Sequence, residues 1–309
     1  MAATNINQTR RGYSYQDKFV LLQILINLRS GTLENFEVDK TFSGKKSVDA
    51  EIILKSPPKI CVYEIKNGET FKTDKWKEVR DAMQILFEYL NQLEEERVSE
   101  VEFYLVISPE LRAQIMEHWG FLSFIKDNGP RVTHNNGKIM SEIAEDYRAK
   151  FDFDKAPISI DNNKFIDFVK KINFKCDQSD NEVGVSDAHS PLIDSINSEI
   201  ENISIKVGVQ DGNIIIPNYS IGLELLENIR QSSEGRGINI EDIKSVLVKA
   251  FARRCFVSRN SNHEPGKSID QLIQEYSEQI EEDVLNMIGN NQPTGPSTIT
   301  YTGDEITSI

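Results

Sequence analysis

Cysteine and histidine are scarce in this chain. The three cysteines, Cys61, Cys176 and Cys255, are widely scattered and form no CxxC pair. That argues against a structural zinc site or a disulfide framework and makes a reducing cytoplasm the simplest setting. The four histidines, at 118, 134, 189 and 263, are equally dispersed and suggest no ligand set. No run approaches the roughly 18–20 apolar residues needed to cross a bilayer. The first sixteen residues, MAATNINQTRRGYSYQ, lack the apolar core of a secretion signal. The expectation is a cytoplasmic protein without membrane association. A nucleophile elbow, a Cys–His pairing and a P-loop glycine pattern are all missing, which leaves Ser and Cys hydrolases unsupported. Positive charge is also in deficit, with 35 Lys and Arg against 49 Asp and Glu, net −14. A free-standing protein that grips DNA through bulk charge is therefore disfavoured.

What is present fits an ordinary globular protein of one or two domains, since 39% of the 309 residues are hydrophobic and 27% are charged. The charge is unevenly spread. Residues 40–80 hold ten basic and six acidic residues, net +4, whereas the tail after His263 has nine acids and one Lys. A locally basic site on an acidic body suits a nucleic-acid enzyme that needs help from a partner; an ordinary solvated mixture of charges accounts for it equally well.

The chemistry concentrates in residues 48–67, VDAEIILKSPPKICVYEIKN. Two strand-like runs, 48–54 and 60–66, flank a break containing Pro57-Pro58. In an antiparallel hairpin turning near 56–58, facing positions have numbers that sum to about 113–115. That register sets Asp49 opposite the segment 64–66, where Glu64 and Lys66 share one face by the period of two. Two carboxylates and an ammonium then converge at one end of the hairpin, a Mg²⁺ site with a cation beside it. Glu51 shares the face of Asp49 one pleat further on, either as a second metal ligand or as an exposed strand acid.

Residues 1–11 read as polar and mobile, and 15–29 as a largely buried helix stopped by Ser30-Gly31. A strand over 36–42 and the hairpin follow, then a helix from a capping Asp74 to about Glu96, and an interior strand over 101–107. The order αβββαβ makes an α/β layer backed by helices. Helices are expected at about 110–119 and 138–151, with an amphipathic stretch at 163–172. Residues 176–190 are polar and read as a linker or exposed loop between a first domain, 1–175, and a helical region, 191–288. That region holds helices over 192–205, 220–229, 239–255 and 268–288. The apolar stripe of the last serves packing within its own domain, an oligomer or a partner. Residues 289–309, with Pro293, Gly295 and Pro296, read as a disordered tail.

The pattern D-x14-E-x-K on adjoining strands within an αβββαβ order resembles the PD-(D/E)xK superfamily, the fold of restriction endonucleases. Gly12–Gln16 (GYSYQ) opening an apolar helix, a strand acid at Glu37, then VDAEI and YEIK, are similar to a narrower group. These are the double-stranded-DNA endonuclease effectors of cyclic-oligonucleotide anti-phage systems, whose domain the nuclease subunits of Lamassu-type defence share. The likeness covers about 12–110 by motif and runs loosely to about 250. Where the group often carries a different residue at the final acid, this chain has a full Glu-Ile-Lys. The C-terminal half shows no cyclic-nucleotide sensor, which favours the Lamassu-like arrangement, with an SMC-like ATPase as partner.

The resemblance implies Mg²⁺-dependent hydrolysis of double-stranded DNA, with Mn²⁺ able to substitute, in a homo-oligomer when active. Asp49 and Glu64 would hold the metal, with a main-chain carbonyl near Ile65 as a further ligand, and Lys66 would orient water and stabilise phosphoryl charge. Gln16 and Glu37 match positions that line the site; a buried hydrogen bond holding the first helix to the sheet is the other reading of Gln16. Lys72, Lys75, Lys77 and Arg80 would track phosphates or form solvated surface. A catalytically silent scaffold within a defence complex and an RNA-directed nuclease remain as alternatives.

Overall fold

In the computed structural model, which describes residues 2–43, 46–66, 75–93, 95–154, 159–176, 191–206, 218–231 and 238–259, the first element is a helix, α1 (Ala2–Ser30). It starts well before the apolar segment, so the polar N-terminus expected to be mobile is helical. Adding residues to an existing helix gains one bond per residue fixed, whereas starting one is the costly step. The helix stops at Gly31, which takes φ 72°; its N–H bonds Leu28 O and the Thr32 N–H reaches back to Asn27 O, both at 3.0 Å. This paired closure needs a left-handed residue, a conformation glycine adopts without strain.

Strands β1 (Leu33–Ser43), β2 (Lys46–Lys55) and β3 (Pro58–Lys66) follow, then α2 (Lys75–Leu90), a 3-10 turn (Glu95–Glu100) and β4 (Val101–Ile107). The expected α2 reached Glu96. It ends earlier because its last bonds, Gln92 to Tyr89 O and Leu93 to Leu90 O, tighten to three-residue spacing. The β2–β3 pairs run from Ala50↔Tyr63 to Lys55↔Pro58, a constant sum of 113. β4 runs parallel to β3, and a fifth strand, β5, parallel to β4. Among the described residues the sheet is mixed, in the order β1-β2-β3-β4-β5, so β4 is interior as expected.

Between β4 and β5 come α3 (Pro109–Gln114), α4 (Met116–Asp127), α5 (Met140–Lys150) and α6 (Asn162–Lys170). The single helix expected at 110–119 is two, broken at Ile115, whose φ of −117° lies outside the helical range. The amphipathic stretch also divides. Asp161 caps α6 by accepting from the Lys164 N–H at 2.9 Å, and after Lys171 the chain becomes β5 (Ile172–Cys176). Cys176 therefore ends a strand rather than opening a linker. Val62, Phe103 and Leu105 of the sheet share one core with Val79, Met83 and Leu86 of α2 and Phe165 and Phe168 of α6.

The chain divides into two compact units, Met1–Gln16 with Glu37–Val183, and Asp17–Phe36 with Gly184–Ile309. Residues 17–36 group with the C-terminal helices, which a linear boundary near 176–190 does not express. The second unit holds α7 (Pro191–Lys206), α8 (Asn218–Gln231) and α9 (Ile240–Arg259). It is closed by buried Phe19, Ile24, Ile200, Leu225, Leu247 and Phe251. Arg29 Nε lies 2.6 Å from Glu199, and Arg230 Nε 3.5 Å from Asp17. α8 crosses close over α7 at Gly222, where a Cβ would stand 3.3 Å from both Ile196 and Asn197 side-chain atoms. The expected connector over 177–190, the helix over 268–288 and the tail over 289–309 lie outside the described residues. Among the described residues no helix is long and apolar enough to cross a membrane.

Candidate active site

Asp49, Glu64 and Lys66 meet at the end of the hairpin. The last β2–β3 pair is Ala50↔Tyr63. Just beyond it, the Ile65 N–H donates to Asp49 Oδ2 at 2.6 Å, a side-chain carboxylate doing the work of a ladder carbonyl. Lys66 Nζ donates to the same oxygen at 3.2 Å and lies 2.7 Å from Glu64 Oε2. The Ser108 N–H holds Lys66 O at 3.0 Å, fixing the strand end from β4.

Glu64 is 1% exposed because it lies on the face that carries Val62, next to Leu105 of the parallel neighbour. Its contact with Lys66 is a close ion pair. Among the described residues no hydrogen-bond donor besides Lys66 reaches either carboxylate oxygen. Burial, and then the charge of Asp49, push its carboxyl up to about 8 against the pull of Lys66. For Lys66, burial favours the neutral amine, but the attraction of Asp49 and Glu64 outweighs it, and the ammonium is held well above the ordinary lysine range. The side chain keeps 21% of its surface exposed, so a cationic donor stands at the mouth of the site.

A hard divalent cation fits this donor set. Two carboxyl groups, one of them buried, supply oxygen ligands that a Mg²⁺ ion keeping several waters accepts. Among the described residues no group of three or more His, Cys, Asp or Glu side chains is placed to enclose a metal, so waters or a phosphate would complete the sphere. The Ile65 carbonyl, expected as a ligand, accepts from Gln16 Nε2 at 2.9 Å, and its second lone pair stays available. Gln16 thus has the second of its expected roles, tying the first helix to the sheet at the carbonyl between Glu64 and Lys66. Replacing it with Ala removes one part-buried hydrogen bond. The expected cost is about 1 kcal/mol of stability in urea unfolding.

The remaining expected residues lie apart from this group. Glu51, read as a metal ligand or an exposed acid, is not exposed: it keeps 9% of its surface, accepts from the Tyr89 hydroxyl and has Lys40 Nζ 3.8 Å away. Glu37 is exposed and pairs with Lys40 rather than lining the site. Lys77 lies 3.8 Å from Asp81, and Arg80 3.3 Å from Asp152, so both cations already have acidic neighbours. Lys72, the capping Asp74 and the side chain of Lys75 lie outside the described residues. Ser108 and Tyr89 escaped the sequence reading: the first acts through its backbone, and the second sits 38 residues from its partner Glu51.

Comparison of the chain with family models, with curated proteins and with solved structures finds no match.

Proposed function

We propose that the protein is a Mg²⁺-dependent endonuclease that hydrolyses double-stranded DNA, with the α1–β4 segment forming a PD-(D/E)xK core. The observation that carries this reading is the buried Glu64 carboxyl, beside Asp49 and 2.7 Å from the Lys66 ammonium, on adjoining strand ends. Burial and the neighbouring Asp49 make this acid costly to ionise even with Lys66 beside it, an expensive arrangement for a purely structural role. A divalent cation held by the two acids would lower that cost further.

Asp49 and Glu64 would hold the metal. Bound there, Mg²⁺ neutralises charge on the phosphoryl oxygens and favours ionisation of attacking water. Asp49 also grips the Ile65 N–H, which fixes the strand end from which Glu64 and Lys66 project. Lys66, being protonated, acts as a donor to phosphoryl oxygen or to the attacking water, not as a base. The resemblance to anti-phage effectors is the ground for proposing a defence role with an SMC-like ATPase partner. The acidic body around a locally basic site is the ground for proposing that the protein stays inactive until that partner or self-association engages it.

Incubation of plasmid with the protein and Mg²⁺, alone and with its partner, tests the activity. Nicked and linear DNA that vanish on chelation are the expected products, and single-stranded and duplex RNA in parallel reveal which nucleic acid is cut. No Mg²⁺-dependent cleavage under any activation condition would leave the catalytically silent scaffold as the better reading.

A further inference from the structure

Two acids stand on the same face of β2, Asp49 and Glu51, and they meet different partners: Asp49 Oδ2 accepts from the Ile65 N–H and from Lys66, whereas Glu51 Oε2 accepts from a phenol. Side chains two residues apart along a strand are separated by about 7 Å. Paired metal ions in phosphodiester chemistry lie about 3.5–4 Å apart. Glu51 is therefore spaced to serve a second ion next to one held by Asp49 and Glu64. Its Oε2 accepts from the Tyr89 hydroxyl, and Lys40 Nζ stands 3.8 Å from Oε1, an ion pair beyond hydrogen-bond reach. Tyr89 is 4% exposed and held in place by Phe42, edge-on at 5.3 Å, and by Phe103 at 6.4 Å. Burial and the bond to Glu51 keep its hydroxyl protonated well above the ordinary phenol range. Lys40 is anchored from its other side by Glu37. Glu64 instead pairs with the Lys66 ammonium, 2.7 Å from Oε2.

We propose that this site takes a single divalent cation, and that Tyr89 and Lys40 withhold Glu51 from a second. The proposal rests on the reading of Asp49 and Glu64 as cation ligands. It makes Tyr89 and Lys40 positioning residues that set the metal stoichiometry.

Titration of the full chain with Mn²⁺, followed by electron paramagnetic resonance and equilibrium dialysis without nucleic acid, tests it directly. The expected result is one ion per chain, lost in Asp49→Asn/Glu64→Gln. Two ions per chain in the unaltered protein would overturn the single-cation proposal while leaving the site itself standing. No ion at all would overturn the site reading and this proposal together. The second arm uses Tyr89→Phe/Lys40→Met, which keeps the ring packing and removes the phenol hydroxyl and the ammonium beside Glu51, with folding checked by circular dichroism. Binding should rise from one ion to two, with a spin-coupled Mn²⁺ pair, and return to one when Glu51→Gln is added. A folded double variant that still binds one ion would overturn the withholding role.

Discussion

Replacing Lys66 with Met is expected to lower Mg²⁺-dependent cleavage by about 100-fold or more, the scale on which a positioned charge donor acts in a desolvated site. The same change leaves Asp49 and Glu64 facing each other without the ammonium that lies 3.2 and 2.7 Å from them. Glu64, already pushed up to about 8 by burial and by Asp49, then moves further up and holds its proton to still higher pH. The methionine should therefore weaken Mn²⁺ binding as well as turnover, and the deficit should narrow as pH rises. Arginine at 66 keeps the charge but changes its geometry, so it should restore cation binding more fully than cleavage. Wild-type cleavage rates in the Met variant would remove Lys66 from the mechanism and with it the main argument for the site.

Glu64→Gln should raise thermal stability at alkaline pH and leave it nearly unchanged near pH 5. The native carboxyl titrates at about 8, above its ordinary value of 4.5. Between those limits the folded chain holds a proton that the unfolded chain releases. Stability from this group is fully present below the unfolded pKa and is lost as pH rises through the folded one. Lys66 is also raised, so its contribution persists across this range and fades only at higher pH. Glutamine has no proton to lose and keeps a neutral side chain in the same space. At pH 8.5 the variant should melt higher by more than about 4 °C, with the scale of roughly 2–4 °C per kcal/mol expected for a chain of this size. Mg²⁺ displaces the same proton, so its stabilisation of the unaltered protein should grow over the same pH window. A Mg²⁺ effect independent of pH, or a flat difference between the two proteins, would contradict the assignment of this proton to Glu64.

The hairpin was legible in the sequence because its chemistry is local. A turn at 56–58 fixes which residues face each other, and the observed sum of 113 lies at the edge of the range read from the pattern. Asp49, Glu64 and Lys66 come together from that arithmetic alone. Glu51 was not legible, because its burial depends on Tyr89 reaching it from α2. β5 was hidden for a related reason. Its five residues follow α6 with only Lys171 between, and its strand character comes from pairing with β4 through Phe103↔Ile172 and its neighbours. Local amphipathicity carries no trace of that pairing. The Gln16 bond to Ile65 O spans 49 residues and was anticipated only as one of two alternatives.

The parallel run of β3, β4 and β5 brings their carboxyl ends to one rim, at Lys66, Ile107 and Cys176. Ser108, which follows β4, leaves from the same end of the sheet as the two acids and the lysine, and its N–H holds Lys66 O. On the proposed nuclease reading, substitutions along that rim would retune which nucleic-acid form is bound while the hairpin keeps its register.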